Sequence, residues 1–288
     1  MCGRRIVTID GPSGGGKSTV SRALAARLGF TYLDTGAMYR AVAYKCRREG
    51  VDPLDEARLA ALLDSTRIDL LPPAEGGDDV RVLLDGEEVG ALLRTPEMGL
   101  LASRVSARPL VRRRLTVLQQ QIGEAGAMVA EGRDTGTVVF PRAAWKFYLD
   151  ASAEVRARRR AAQLRSKGEQ VDEQQLLAEI VQRDRDDRER TIAPLAAAAD
   201  ALCIDSTSLS AEAVVELMVA RIQTTPCDCG SPLILQQKKS RPRICPGRDF
   251  FPFLPGDHAA DSTFSPAIRA CTARPTVRPS STHWPSCS

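Results

Sequence analysis

The stretch Gly11-Pro-Ser-Gly-Gly-Gly-Lys-Ser18 lies between the apolar run Ile6-Val-Thr-Ile-Asp10 and a segment of helical periodicity over 17–28. The apolar run predicts a buried strand, and the periodic segment predicts a helix with Gly29 just past its end. Glycine loses more backbone freedom on folding than any other residue, so three in a row are costly unless the backbone must approach something closely. The order strand, glycine loop, helix predicts the first unit of an α/β fold.

The spacing of this loop, Gly-x-x-x-x-Gly-Lys-Ser between a strand and a helix, is the pattern of a phosphate-binding P-loop. Backbone N–H groups and the positive end of the following helix would hold a phosphate, and Lys17 would reach the β- and γ-phosphate oxygens. The Ser18 hydroxyl would complete a Mg²⁺ shell. A glycine-rich turn that only joins strand to helix is the alternative. We therefore expect a nucleoside triphosphate, with ATP or GTP as donor, to be bound by Gly11, Pro12, Ser13, Gly14, Gly15, Gly16, Lys17, Ser18 and Thr19.

The rest of the chain as far as Gln223 alternates short apolar runs with amphipathic segments. The pattern predicts helices over 37–49, 110–123, 176–190 and 211–222, a charged helix from about 153, and strands over 128–131, 146–149 and 201–205. This alternation predicts an α/β fold of three layers, with a mostly parallel sheet between helices. Two short runs, 68–71 and 80–85, flank a turn-like stretch at 72–79 and predict a small antiparallel insertion.

Charge and composition limit the function classes. The chain has 288 residues and a net charge of +4, but residues 224–288 hold eight Lys/Arg and four Asp/Glu, so the first 223 residues hold 32 of each sign. Nucleic-acid binding by the folded part therefore gains no support from charge. Both histidines lie in this tail, so no imidazole chemistry is expected of the core. No run is long enough to span a membrane and no secretory signal is recognisable, so a cytoplasmic protein is expected.

Three clusters could bind the molecule that accepts the phosphoryl group, and the first two are short motifs. Residues 33–40 read Leu-Asp-Thr-Gly-Ala-Met-Tyr-Arg, with Thr35 opening a helix and Arg40 one turn further on. This suits a second phosphate, although a capping threonine and a solvated arginine would give the same pattern. Residues 131–137 read Glu-Gly-Arg-Asp-Thr-Gly-Thr at a strand end, where ligands bind in open parallel sheets. Arg133 could hold a phosphate and Asp134 could accept from an exocyclic amine, unless they form a surface ion pair.

The third cluster is the charged segment 183–190. Arg183, Asp187 and Arg190 lie on one helix face at i, i+4 and i+7. A solvated helix with internal salt bridges is the usual interpretation of such a run. Three arginines share a face of the preceding helix: Arg156, Arg159 and Arg160. That helix and the loop 166–168 could close over a triphosphate as a lid.

Together the segments GPSGGGKST, LDTGAMYR, LLASRVSARPLVRRRL, EGRDTGTVVFP, KFYLDAS and RDRDDRERTIAPLAAAADALCIDST resemble the bacterial cytidylate kinases, which are P-loop nucleoside monophosphate kinases. The resemblance covers residues 4–223, and the insertion near 68–100 matches the enlarged acceptor-binding region of that family. It implies a kinase domain over 1–223, with an acceptor-binding insertion at about 67–101 and a lid at about 153–170. The tail over 224–288 has no counterpart and is expected to be irregular or disordered.

The resemblance also implies residue roles. It implies that Ser103, Arg112 and Asp134 read the cytosine edge and that Asp187 and Arg190 hold the ribose. It implies an acceptor-phosphate group made of Thr35, Arg40, Arg133 and Arg183. Arg156 and Arg159 would belong to the lid, and the residues expected to act in catalysis are Lys17, Arg133, Arg159 and Arg183.

The implied activity is transfer of the γ-phosphoryl group of ATP to CMP or dCMP with Mg²⁺, by an enzyme expected to act as a monomer. Two alternatives stay open at this point. Another P-loop kinase, for UMP or AMP, would keep the whole of residues 11–18. A non-enzymatic switch, or a nucleic-acid-binding protein that uses the basic tail, would be of a different class.

Overall fold

The computed structural model describes residues 5–71, 80–166 and 168–224. The turn predicted at 72–79 lies outside these residues. So does the tail predicted over 224–288, apart from Thr224, which ends the last helix.

The main sheet has five parallel strands in the order β2-β6-β1-β7-β8. Its strands are β1 (Ile6–Asp10), β2 (Thr31–Asp34), β6 (Met128–Gly132), β7 (Trp145–Asp150) and β8 (Leu202–Asp205). Every residue of β1 and β6 is buried. This agrees with their continuous apolar sequences, which are typical of central strands in a parallel sheet. The predicted parallel α/β fold is confirmed.

Eight helices flank or extend this sheet within the described residues. They are α1 (Lys17–Leu28), α2 (Thr35–Arg48), α3 (Glu56–Asp64), α4 (Pro96–Ser106), α5 (Pro109–Gly123), α6 (Ala153–Arg165), α7 (Glu173–Glu189) and α8 (Ala211–Thr224). The core contains side chains from strands and helices alike, among them Ile9, Leu24, Met38, Phe147 and Met218, each almost fully buried. No helix in the described part of the chain is long and apolar enough to cross a membrane.

The predicted antiparallel insertion is also present. It is a three-stranded sheet in the order β3-β4-β5, formed by β3 (Ile68–Leu71), β4 (Arg81–Leu84) and β5 (Glu87–Glu88). Lys45 of α2 connects it to the main body, because its buried ammonium donates to the Ser65 carbonyl at 2.9 Å and pairs with Asp85 at 2.8 Å. The insertion is therefore joined to the far end of α2.

Candidate functional site

The glycine loop after β1 takes backbone conformations that other residues rarely adopt. Gly11 has φ 149°, and a Cβ at this position would collide with the Leu149 carbonyl oxygen at the end of β7. Gly16 precedes α1 at φ 83° with no side chain capping the helix. The first N–H groups of α1 are thus left facing the loop, where an anion can accept from them.

Lys17 is the first residue of α1, and its side chain is buried in the loop. Its ammonium donates to the Pro12 carbonyl at 2.6 Å. Burial, together with the positive charges of Arg133 and Arg183, lowers the pKa of Lys17 to about 7. An anionic ligand between these groups would favour the charged amine, since it would offset both effects.

Ser18 lies beside an acidic residue that the sequence did not single out as functional. Its hydroxyl donates to Glu131 Oε1 at 2.7 Å, and Glu131 Oε2 is buried without a hydrogen bond from any of the described residues. Burial and the neighbouring Asp34 raise the pKa of Glu131. The described residues include no group of three or more metal-binding side chains, so any cation here would need ligands from a nucleotide or from water.

The N-terminus of α2 is capped by Asp34 and not by Thr35. Asp34 caps it by accepting from Ala37 N at 2.9 Å, whereas the Thr35 hydroxyl donates to the Glu131 carbonyl at 2.6 Å. Arg40 folds back along the helix to pair with Asp34 at 2.9 Å. Thr35 is thereby fixed against the end of β6, and Arg40 stands at the edge of the cleft.

The arginines predicted for the acceptor phosphate lie close together. Arg133 Nε donates to Asp187 Oδ2 at 3.0 Å. Burial, together with repulsion by Arg133 and Arg40, lowers the pKa of Arg183 to about 10. Mutual repulsion among cations in a protein cleft is typical of a site that binds an anion.

Arg112 and Asp134 form a buried pair at the side of the cleft predicted to read the base. The two guanidinium nitrogens lie 3.3 Å from the two carboxylate oxygens. Arg112 also donates to the Tyr39 hydroxyl at 3.1 Å and lies over the Tyr39 ring at 5.6 Å. Burial raises the pKa of Asp134, and the surrounding arginines oppose that rise. Ser103 of α4 lines the same cleft.

The two predicted ribose ligands meet at the end of α7. Asp187 pairs with Arg190 at 3.5 Å, and Arg190 also donates to the Ala193 carbonyl at 2.6 Å. Although burial acts to raise it, the pKa of Asp187 is lowered because Arg133 and its neighbouring arginines favour the carboxylate. This face of α7 is therefore turned into the cleft and is not solvated in the manner of an ordinary charged helix.

The arginines of α6 have separate environments. Arg156 is buried and pairs with Asp184 of α7 at 2.6 Å, so it lies at the base of the predicted lid and outside the cleft lining. Arg159 lines the cleft but donates to the Ser206 carbonyl at 2.6 Å. Arg160 also lines the cleft. Burial lowers the pKa of Arg160, and the nearby positive charge of Arg40 lowers it as well.

One cleft of about 1120 Å³ connects these groups. Of the predicted site residues, those that line it are Ser13, Gly14, Gly15, Gly16, Lys17, Ser18, Thr19, Thr35, Arg40, Ser103, Arg112, Arg133, Asp134, Arg159, Arg183, Asp187 and Arg190. Gly11, Pro12 and Arg156 do not line it. The cleft continues to Ser206 and the start of α8, a region that the sequence did not indicate as functional.

Comparison with known proteins identifies relatives that span nearly the same region. A family model described as cytidylate kinase matches residues 7–224. A protein named cytidylate kinase from Citrifermentans bemidjiense is 49% identical over 218 residues, which are 76% of this chain and 92% of that protein. Another of the same name from Geobacter sp. strain M21 is 51% identical over 213 residues, covering 74% and 90%. Among solved structures, a shikimate kinase from Bacteroides thetaiotaomicron covers 76% of this chain and 96% of its own at 15% identity, with a TM-score of 0.40.

Proposed function

This chain belongs to the cytidylate kinase family, and we propose that it transfers the γ-phosphoryl group of ATP to CMP or dCMP, giving ADP and CDP or dCDP. The observation that carries this proposal is the single cleft that joins the P-loop to a cluster of arginines and to the Arg112–Asp134 pair. Such a cleft offers one site for a triphosphate and another, facing it, for a nucleoside monophosphate.

The donor would lie with its phosphates in the loop 11–19. Lys17 and the free N–H groups at the start of α1 would neutralise the β- and γ-phosphates. The part of the cleft lined by Ser206, Leu209 and Val214 would take the nucleoside of the donor, because the same cleft contains the P-loop and Arg159 of the predicted lid donates to the Ser206 and Leu209 carbonyls.

The acceptor would lie with its phosphate among Arg40, Arg133 and Arg183. An acceptor phosphate is already anionic at neutral pH, so its oxygen needs no general base before it attacks. The described residues contain no histidine, which fits that chemistry. Catalysis then depends on holding two anions in line and offsetting the charge between them.

Asp134 and Arg112 would distinguish the base. The cytosine edge presents an exocyclic amine as a donor and a ring nitrogen and carbonyl as acceptors, which match a carboxylate and a guanidinium respectively. Uracil has a carbonyl where cytosine has the amine. A carboxylate placed at that position would therefore oppose UMP.

Mg²⁺ fits the pair formed by Ser18 and Glu131. Mg²⁺ is commonly held by one or two protein groups together with substrate phosphates and water. The Ser18 hydroxyl would be a direct ligand, and the unpartnered Glu131 Oε2 would accept from a water of the metal. Bound Mg²⁺ supplies charge neutralisation between the β- and γ-phosphates.

The test is ADP formation by the full chain from Mg·ATP, with CMP, dCMP, UMP and AMP offered separately. We expect turnover with CMP, dCMP or both at much higher kcat/KM than with the other two. Preference for UMP or AMP would retain a P-loop kinase and reject the roles of Ser103, Arg112 and Asp134. No turnover with any acceptor, together with nucleotide binding, would favour a switch.

A further inference from the structure

Asp10 is a buried carboxylate that the mechanism above does not use. It is the last residue of β1, one position before the P-loop, and it is 3% exposed. Its Oδ1 accepts from Thr135 N at 2.8 Å and from the Thr135 hydroxyl at 2.7 Å, while its Oδ2 accepts from Gly136 N at 2.7 Å. Asp10 does not line the cleft, so it is not placed to contact either substrate.

The three donors belong to the turn that follows the acceptor residues Arg133 and Asp134. Thr135–Val139 forms a short π-helical turn, closed by hydrogen bonds such as Phe140 N to Thr135 O at 2.7 Å. Its first N–H groups point at the Asp10 carboxylate. The start of the turn, and with it the backbone position of Asp134, is therefore fixed by a side chain from the central strand.

Close packing leaves this turn little alternative space. A Cβ on Gly136 would lie 2.8 Å from Thr8 Oγ1 and 3.3 Å from Asp10 Oδ2. A Cβ on Gly132 would lie 2.7 Å from both Thr135 Cγ2 and Thr35 Oγ1. The carboxylate and the bare glycine backbone thus act together to hold the turn against β1.

The position of the P-loop depends on the backbone of Asp10 and not on its carboxylate. The backbone of Asp10 is held on both sides by the sheet, where it pairs with Gly132 of β6 and Tyr148 of β7. Removing the carboxylate would leave these ladder bonds in place. It would release the turn at 135–139, so the acceptor side would be affected more than the donor side.

We infer that Asp10 is a positioning residue for the acceptor: it fixes the turn that presents Arg133 and Asp134 to the nucleoside monophosphate. This inference rests on the proposed function, because it assumes that Asp134 reads the acceptor base. The Asp10 backbone leads directly into the donor loop, while its carboxylate holds this turn.

The first test is Asp10→Asn in the full chain. An asparagine oxygen can still accept from both Thr135 donors, but its NH₂ group would face Gly136 N–H, and two donors cannot bond. A buried donor left unpaired destabilises the turn in the position that the acceptor requires, and a tenfold effect corresponds to about 1.4 kcal/mol. We expect the KM for CMP to rise about tenfold and the preference for CMP over UMP to fall, with the KM for ATP changed less than about twofold.

Thr135 gives a second test that leaves Asp10 intact. Thr135→Val keeps the shape and removes only the hydroxyl that donates to Asp10, so we expect a rise in the KM for CMP in the same direction. Thr135→Ser keeps the hydroxyl and removes the methyl group, so it should restore most of the binding. Val7→Ala truncates a fully buried side chain of the same strand without touching a polar contact, and it controls for simple loss of stability.

The inference is overturned if Asp10→Asn and Thr135→Val raise the KM values for CMP and ATP equally, as Val7→Ala would by loosening the whole sheet. It is also overturned if both variants keep the wild-type KM for CMP and the wild-type base preference. Should Asp10→Asn not fold, the comparison of Thr135→Val with Thr135→Ser decides the matter alone. Failure of the wild type itself to phosphorylate CMP would reject the proposed function, which is a separate outcome.

Discussion

Arg156 Nη2 lies 2.6 Å from Asp184 Oδ2, and both side chains are almost fully buried where α6 meets α7. Arg156 also donates to the Ser13 carbonyl in the P-loop at 3.0 Å and to the Ala151 carbonyl at 2.8 Å. One guanidinium thus joins the donor loop, the end of β7 and the helix that carries Arg183 and Asp187. Each of its three nitrogens makes one of these contacts.

Asp184→Asn should therefore lower the free energy of unfolding by about 3 kcal/mol or more, because it leaves the Arg156 charge buried without its partner. Urea unfolding measures this. The matched control is Glu173→Gln, which breaks the exposed pair between Glu173 and Arg165 and should cost less than about 1 kcal/mol. Equal effects from both substitutions would contradict the structural role of the buried pair.

Lys17→Ala should reduce kcat by a hundredfold or more, on the order expected for loss of a charge that acts mainly on the transition state. Steady-state turnover with CMP measures this. Arg27→Ala, on the exposed end of α1 and outside the cleft, should keep the wild-type kcat. Wild-type turnover in the Lys17 variant would remove Lys17 from the mechanism.

Binding of ATP above pH 7 should take up a proton at Lys17. The pKa of this amine is lowered to about 7 in the free protein, so at pH 8 it is mostly neutral, and triphosphate charge would raise the pKa again. Calorimetric titrations at pH 8 in buffers of different ionisation enthalpy measure the uptake. Lys17→Met should abolish it, and an unchanged uptake in that variant would assign the proton elsewhere.

Glu131→Gln should raise the Mg²⁺ concentration needed for half-maximal velocity by about tenfold, since groups that orient a metal's ligands contribute 10–100-fold to affinity or activity. The KM for CMP should change less. Glu124→Gln, on the exposed end of α5, is the control. An unaltered Mg²⁺ dependence would leave Glu131 with no part in binding the metal.

Tyr39→Phe should raise the KM for CMP roughly threefold to tenfold, because it removes one hydrogen bond from Arg112 while keeping the ring under the guanidinium. Tyr44→Phe, on the same helix with its ring near Arg48, is the matched control and should change no KM. If the two variants behaved alike, the Tyr39 hydroxyl would not orient Arg112.

Local patterns were sufficient to predict most of the fold. The apolar run of β1, the glycine loop and the helix after it follow one another in the sequence, and the insertion was visible as two short runs around a turn. The four-residue strand β2 was not predicted, because Thr31–Asp34 is too short to show a period. Helices α3 and α4 were also missed, although Asp55 and Thr95 cap them in the usual way.

The site was predicted only where its residues belong to a motif. Ser18 and Glu131 are 113 positions apart, and Arg112 reaches Tyr39 across 73. Such contacts follow from strand order and helix packing, which periodicity does not reveal. Helical spacing predicted that Arg156 and Arg159 share a side of α6, but it could not show that Arg156 contacts Asp184 and the P-loop while Arg159 contacts Ser206. The roles of the residues that line the cleft remain predictions.

Helix α2 has Thr35 and Arg40, two of the residues predicted for the acceptor phosphate, in its first two turns, and Lys45, which binds the insertion, near its end. A helix of 14 residues is about 21 Å long and does not bend easily over that length. Its two ends are therefore mechanically coupled: a rotation of α2 that shifted Arg40 would also shift Lys45 and the antiparallel sheet that Lys45 binds.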